Sequence, residues 1–545
     1  MMTNFVRLFL EDLAQGRPLR RPPLAERFNW VRDVFEALHV RQRPDQVMLQ
    51  LGDHNPIAYA AAAQQADALL VALRNRAPAG STAVVMSGLH PGIWVSYLAL
   101  IKGGYRIVPA AHNLTTEDLV FRFRSHPPQV VIADRSCQPR IDAALERTQL
   151  NPARLGLEDL PGWTWIRSLP APLAGVPAED TAYDDPLFLF FTSGTTGMPK
   201  VVVHTHSSYP LGHLSTLAWL GLTPEDIHEN IAQPGWAKFA WSSFFAPLTV
   251  GCQLRITPHA GKFDAPYQLS CLQRYGVTSL CAPPTALRLL VQEDLSRYAL
   301  KLRQCVSAGE PLNPEVIEAW QRGTGQTLRD GYGQSETTLM VCNLPGQPIR
   351  PGSMGKPSFL YEVLIASEDG RELADGEVGQ IAVRLTPGQF RGVFPGYASQ
   401  PAPNPFHHGL YYTGDKAYRD EDGYLWFVGR DDDVIKTSDY RVGPFEVESA
   451  LIEHPAVVEA GVVGVPHPIR GQQIKAYLTL RADTEASPAL ARQLFHHCQQ
   501  RLASYQRPRK LQFVEELPKT TSGKIRRVEL RHQPPAGVEY DQDAP

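Results

Sequence analysis

The sequence is poor in cysteine, with seven in 545 residues, at 137, 252, 271, 281, 305, 342 and 498 and none in a CxxC pair. An odd count without paired spacing, in a chain too long to need covalent staples, predicts a reducing, cytoplasmic setting. It also lacks a charge excess: 53 Lys and Arg stand against 56 Asp and Glu, for a net charge of −3. That leaves no strong overall field to attract nucleic acid or an acidic membrane. No apolar run approaches the length of a bilayer span. The first stretch, MMTNFVRLFLEDLAQGR, is broken by Arg7, Glu11 and Asp12 and has no signal-peptide core or cleavage site. No stable membrane insertion is expected. Repeats and low-complexity tracts are absent, and the 47 prolines are dispersed as loop punctuation.

What is present is apolar residue in quantity, 43% of a length that implies two or more domains. Residues 59–74 read as an Ala/Leu-rich helix, 81–88 as a strand, 92–104 as a helix ending at glycine, and 105–110 as a strand: one βαβ unit. A strand follows at 129–136. The strand-then-helix alternation returns at 278–292 and 305–321. This predicts an α/β class with a parallel or mixed sheet. After about residue 350 the texture turns β-rich, with strands at 361–367, 379–385 and 423–429. The acidic knot RDDDVIK (430–436) interrupts the chain. Helix, two strands and helix follow, which predicts a small α+β domain over 432–545 behind a large domain over 1–431.

The segment with most chemistry is FTSGTTGMPK, 191–200. It leaves a buried apolar strand and offers hydroxyls, glycines and a lysine, a combination whose free backbone N–H groups suit an anion. A Walker A loop requires GxxxxGK[ST] before a helix. Here the Gly–Lys adjacency is missing, Pro199 opposes helix initiation, and the β-branched run VVVHTH follows. The loop is expected to join two strands. His204 and His206 in that run alternate on one face, but no third metal ligand is evident.

FTSGTTGMPK resembles the phosphate loop of adenylate-forming enzymes: acyl-CoA synthetases, adenylation domains and luciferases. SAGEPL (307–312), DGYGQSET (330–337), GEVGQIAVR (376–384), the run 411–436 and LPKTTSGKIRR (517–527) match the remaining family motifs in order. The resemblance covers roughly residues 30–531. It is strongest to medium-chain acyl-CoA synthetases, through GWAKFAW (235–241), RVGPFEVESAL (441–451) and HPIRGQQIKAY (467–477). It implies that a carboxylic acid attacks the α-phosphorus of ATP, pyrophosphate leaves, and a thiol takes the acyl group from the adenylate.

The resemblance also implies roles. Thr192, Ser193, Gly194, Thr195, Thr196, Gly197 and Lys200 would grip the β/γ-phosphates. Gly309, Glu310 and Pro311, with Asp330, Gly331, Tyr332, Gly333, Gln334 and Ser335, would contact adenine and α-phosphate, Tyr332 by stacking on the purine. Glu336 would hold Mg2+, as a hard carboxylate can. Asp415 would accept both ribose hydroxyls, since an ionised carboxylate is acceptor-only, with Arg430 as second ribose contact. Lys524 would bridge the acid and the α-phosphate as the catalytic lysine, with Lys200 beside the phosphates. Asp432 matches the hinge of a mobile small domain. Ser438, Asp439, Tyr440, Arg470, Arg507, Pro508 and Arg509 align with coenzyme A contacts. The alternative for Arg507 and Arg509 is a solvated patch beside Lys510.

Trp236 and Gly333 would line the acyl pocket. Short-chain acetyl-CoA synthetases carry Trp where this chain has Gly333, so a pocket for medium-chain or small aromatic acids is expected. The other reading of Gly333 is a backbone position with φ > 0. Most relatives read Ser-Gly-Tyr-Arg where this chain reads Ser438-Asp439-Tyr440-Arg441. A carboxylate at 439 could narrow the thiol's path, which keeps a second reading open: an adenylating enzyme that loads a separate carrier protein.

Overall fold

The computed structural model describes residues 1–545 except 174, 193–199, 260, 262, 399–403, 438–439, 521–523, 533–535 and 543–545. Among the described residues the chain forms sheets of eight, nine, five and six strands. The expected βαβ unit is present. Strands Thr82–Ser87 and Arg106–Ala111 pair in parallel on either side of helix Gly92–Lys102. TAVVMS is buried at every position, the pattern of a strand covered on both faces. Lys102 ends the buried helix face and is held by Glu36 at 2.6 Å and by Asp67.

Strand Pro186–Thr192 runs parallel to Arg106–Ala111 and antiparallel to Lys200–Thr205, with Thr192 opposite Lys200. The phosphate-loop segment therefore connects two strands, as expected from its β-branched sequel. In the nine-stranded sheet, Gln253–Ile256, Ile227–Asn230, Ser279–Ala282, Gln304–Ala308 and Leu328–Gly333 are all parallel. Ala308 and Gly333 both stand at carboxyl ends of these strands, where α/β sheets open their ligand crevices. Leu339–Cys342 then turns back antiparallel to Leu328–Gly333.

The β-rich section is an antiparallel five-stranded sheet that includes Gly379–Arg384, Leu410–Arg419 and Leu425–Arg430. Its last strand leads through a turn into Ile435–Thr437, the first strand of the six-stranded sheet. Helices Pro444–Ile452 and Pro488–Arg501 cover that sheet over a separate core of Val447, Leu451, Val462, Leu478, Leu494 and Leu511. Inside it Glu448 takes two bonds of 2.8 Å from Arg527 and one of 2.8 Å from the Val462 amide. Such a buried, fully bonded pair costs about 3–5 kcal/mol to break from one side.

The C-terminal unit leans on the rest through helix Pro444–Ile452. Asn313 Nδ2 donates to Ser449 Oγ at 3.0 Å. A Cβ at Gly443 would lie 2.0 Å from the Val428 carbonyl oxygen, so only glycine permits this approach. Nearby, Glu315 of helix Pro314–Thr324 meets the Glu453 carboxylate, and Arg501 pairs with Glu453 at 2.9 Å. Burial first, then Glu453 and Glu318, push the Glu315 carboxyl up to about 7. A carboxyl raised in the folded state stabilises the contact while it holds its proton. That contribution is lost as pH rises from the ordinary carboxylate range through 7. Glu315→Gln cannot ionise, so its urea midpoint should fall less than wild type's between pH 5.5 and pH 8. Parallel slopes for the two proteins would contradict the assignment.

Candidate active site

Four of the expected residues, Tyr332, Gln334, Arg430 and Lys524, converge on Asp415. This carboxylate sits in strand Leu410–Arg419 opposite Arg430 of Leu425–Arg430 and is 7% exposed. It accepts from the Tyr332 hydroxyl at 2.6 Å and from Gln334 Nε2 at 2.7 Å. Tyr411 in turn donates to Gln334 Oε1 at 2.7 Å, which fixes the amide. Burial raises the Asp415 carboxyl, while Tyr332, Arg430, Gln334 and Lys524 act to keep it charged. Lys524 therefore reaches this centre electrostatically although its sequence neighbours belong to the C-terminal unit. Its turn is closed by Thr520 N–H to Lys524 O at 2.7 Å and Lys524 N–H to Thr520 Oγ1 at 3.1 Å.

Glu336 forms the second carboxylate of the site. Its Oε1 accepts from the Tyr397 hydroxyl at 2.9 Å, and its backbone carbonyl accepts from Phe394 N–H at 2.8 Å. Burial raises its carboxyl, and Tyr397 and Lys200 oppose that rise. The Lys200 ammonium lies 5.3 Å above the Tyr397 ring. Tyr397 is held there by strand pairing of Gly396–Tyr397 with Lys200–Thr205. No motif in the sequence signals Tyr397; only pairing across the sheet brings it in. Among the described residues no group of three His, Cys, Asp or Glu could hold a metal. A desolvated single carboxylate does fit Mg2+, which keeps most of its ligands as water and phosphate.

Of the phosphate loop, Ser193, Gly194, Thr195, Thr196 and Gly197 lie outside the described residues. Thr192 and Lys200 close its base, Thr192 Oγ1 donating to Lys200 O at 3.4 Å. His204 is buried and neutral: its Nε2–H donates to Ser335 O at 2.7 Å, and Nδ1 lies 2.9 Å from Ser208 Oγ. Burial takes its pKa to about 4. It ties the loop's outgoing strand to the GYGQSE segment. His206 is also buried, and neither ring nitrogen has a partner among the described residues.

At the ends of the parallel strands, Gly309 takes φ +113° and Glu310, followed by Pro311, pairs with Arg288 at 3.1 Å. The Asp330 carboxylate accepts from Gly331 N–H at 2.8 Å and is pushed up by burial. Trp236 is half-buried against the core of the eight-stranded sheet. Gly235, at φ +94°, makes this possible, since a Cβ there would lie 2.3 Å from the Ala111 amide nitrogen.

Gly333 corrects both of its expectations. Its φ is not positive. An added Cβ would point at Thr338, 2.1 Å from the carbonyl oxygen. The missing side chain is room for the backbone of the returning strand, not a void that a Trp could fill. Gly333→Ala should cost about 2 kcal/mol or more of unfolding free energy in denaturant titrations, the usual penalty of overpacking. An unchanged midpoint would refute the clash.

The expected coenzyme A residues are partly occupied. Arg507 donates to Leu502 O at 3.0 Å and Gln499 O at 3.1 Å, so it closes the carboxyl end of helix Pro488–Arg501 and is no solvated patch. Arg509 reaches Gln542 Oε1 at 3.1 Å, and Pro508 between them is buried. Arg470 stands half-buried in a turn, its N–H directed to His467 Nδ1 at 3.2 Å. Tyr440 stacks on Tyr505 with ring centres 4.2 Å apart, a plate no spacing predicts. Ser438 and Asp439 lie outside the described residues. Asp432 takes Arg430 Nε at 3.2 Å on its side chain and Arg531 on its carbonyl at 3.3 Å.

Comparison with known proteins agrees with this geometry. The model of the AMP-binding enzyme family matches residues 37–398, and that of the AMP-binding enzyme C-terminal domain matches 446–524. 4-Hydroxybutyrate–CoA ligase 1 of Metallosphaera sedula is 46% identical over 93% of this chain and 90% of its own. The mitochondrial acyl-coenzyme A synthetase ACSM3 of Mus musculus is 40% identical over 83% of this chain and 79% of its own. The anthranilate CoA ligase AuaEII, solved with anthranoyl-AMP, superposes with a TM-score of 0.84 at 30% identity over 94% of this chain and 98% of that one. With Asp415, Glu336, Lys200, Arg430 and Lys524 drawn to one centre and both family models matched in order, the chain belongs to the AMP-binding enzyme family.

Proposed function

We propose that this protein is an ATP-dependent carboxylic acid:CoA ligase. The observation that carries the reading is the approach of Lys524 to the Tyr332–Gln334–Asp415 cluster beside Lys200 and Glu336. Two anions, the acid and the α-phosphate, must meet there. Positive charge and fixed orientation are what such a reaction needs. Asp415 and Arg430 hold the ribose, Lys200 and the loop 192–200 hold the β/γ-phosphates, and Lys524 neutralises the carboxylate and the α-phosphate together. Glu336 is the residue to hold Mg2+, which supplies charge neutralisation on the phosphates. The carboxylate oxygen bonds to phosphorus as the bond to pyrophosphate breaks. The thiol of coenzyme A then bonds to the acyl carbon, AMP leaves, and the thiol proton passes to solvent.

The second step must bring a thiol to the acyl carbon of the adenylate. We place the moving unit at 432–545, the hinge at Asp432, and the coenzyme A contacts at Tyr440 and Arg470. The relatives bear names of ligases for 4-hydroxybutyrate and anthranilate, which supports a medium-chain or small aromatic acid. A cytoplasmic location is consistent with seven unpaired, buried cysteine thiols. Among the described residues no helix is long and apolar enough to cross a membrane. The second reading, transfer to a carrier protein, rests on Asp439.

ATP–pyrophosphate exchange across a panel of acids tests the first step, and CoA consumption tests the second. Lys524→Ala should lose about 10²–10³ in acid-dependent exchange while attack of CoA on supplied adenylate falls far less. Equal loss in both halves would refute its assignment to the first step. Asp439→Gly should leave exchange unchanged and leave thioester formation equal or faster. Adenylate without acyl-CoA at saturating CoA would replace the ligase with the carrier-loading enzyme.

A further inference from the structure

Lys238 stands outside every role assigned above. It lies in the short helix Ala237–Ala240, two residues after Trp236. Its Nζ donates to Ala308 O at 3.3 Å, the last residue of strand Gln304–Ala308. The titratable groups nearest it are the Cys281 thiol, in the neighbouring strand Ser279–Ala282, and the carboxyls of Glu310 and Asp330. The ammonium thus stands at the carboxyl ends of three parallel strands, where α/β sheets open their ligand crevices, beside the GEP and DGYG segments.

A lysine here is unusual. Lys is among the side chains least often buried, and a buried cation without a partner is costly. Lys238 has no carboxylate within ion-pair distance among the described residues. Glu310 is already engaged by Arg288, and Asp330 by the Gly331 amide. Burial lowers the Lys238 ammonium, and the two carboxyls counter that by holding the proton on. Three donors are available on the ammonium, and one is used, on a carbonyl at the long end of the hydrogen-bond range. A chain that needed only an apolar wall beside Trp236 would place Met or Leu at this position.

We infer that Lys238 is a specificity-determining residue that donates to an oxygen on the distal part of the acid substrate, a hydroxyl, carbonyl or second carboxylate. The inference rests on the ligase reading and narrows its substrate class to acids with a polar end. Placing an unfilled donor in the pocket selects against plain chains as well as for oxygenated ones, because the plain acid leaves the ammonium unpaired when it excludes water.

The test compares kcat/KM in ATP–pyrophosphate exchange for plain, ω-hydroxy, ω-oxo and α,ω-dicarboxylic acids of four to eight carbons. Wild type should favour an oxygenated acid over the plain acid of equal length by about 10- to 100-fold, the worth of a hydrogen bond to a charged group. The three oxygenated series show which acceptor it prefers. In Lys238→Met the ratio should collapse toward one, mainly through KM of the oxygenated acid, and Lys238→Arg should restore part of it. Activation of plain and oxygenated acids without preference in wild type would overturn the inference and leave the ligase reading standing. So would an equal loss on both in Lys238→Met, which marks a structural role, or a rise confined to KM for ATP, which marks an adenine contact. No exchange with any acid would overturn both.

Discussion

The structure turns on the cost of burying two carboxylates close together. Asp415 and Glu336 are each pushed up by desolvation, and the Asp415 charge raises Glu336 further. Neither is compensated by a direct salt bridge among the described residues. Instead their charge is met by hydroxyl and amide donors, Tyr332, Gln334 and Tyr397, and by cations at longer range, Lys200, Arg430 and Lys524. A nucleotide diol, a divalent cation and a phosphate chain are the chemistry that the proposed function brings to these carboxylates and cations.

This arrangement dictates much of the surrounding architecture. Tyr332 and Gln334 come from a strand end of the nine-stranded sheet, Asp415 and Arg430 from the five-stranded sheet, and Lys200 and Tyr397 from the edge of the eight-stranded sheet. Lys524 comes from the C-terminal unit. The centre is therefore where three sheets meet Lys524 of the C-terminal unit. The docking contacts are few and polar: Asn313 with Ser449, a carboxyl pair at Glu315 and Glu453, and the close passage of Gly443 past Val428. Contacts of that kind resemble a separable interface more than a shared core. The firm bonds, Arg527 to Glu448 and Arg531 to Asp433, lie within the C-terminal side. That division is the support for the proposed hinge at Asp432.

Much was legible from the chain alone. Its apolar runs, read with the strand period and the helix period, gave the βαβ unit and the later alternation almost to the residue, as at Tyr59–Arg74. The β-branched residues after the segment 191–200 predict that it joins two strands, and the pairing of Thr192 with Lys200 agrees. The motif residues Tyr332, Gln334, Asp415, Arg430 and Lys524 were named from the resemblance, and they lie at one centre. Tyr397, Lys238 and Tyr505 were not legible. Each owes its place to register between strands or to packing of a short helix, and a lone aromatic or lysine in a loop carries no spacing signal.

The sequence by itself determined the class of fold, the order of the motifs and the kinds of group offered to a ligand, because these depend on local periodicity and side-chain chemistry. Only the tertiary structure decided what each group faces. Gly333 reads as open space and proves to be the place where Thr338 comes closest; Arg507 reads as a coenzyme A contact or a solvated charge and proves to be bonded to a helix end; His204, which the sequence leaves without a metal partner, proves to be a neutral clasp on Ser335. In each case the deciding neighbour is a backbone carbonyl brought up by folding. Every residue carries one, so no sequence pattern marks where it will arrive.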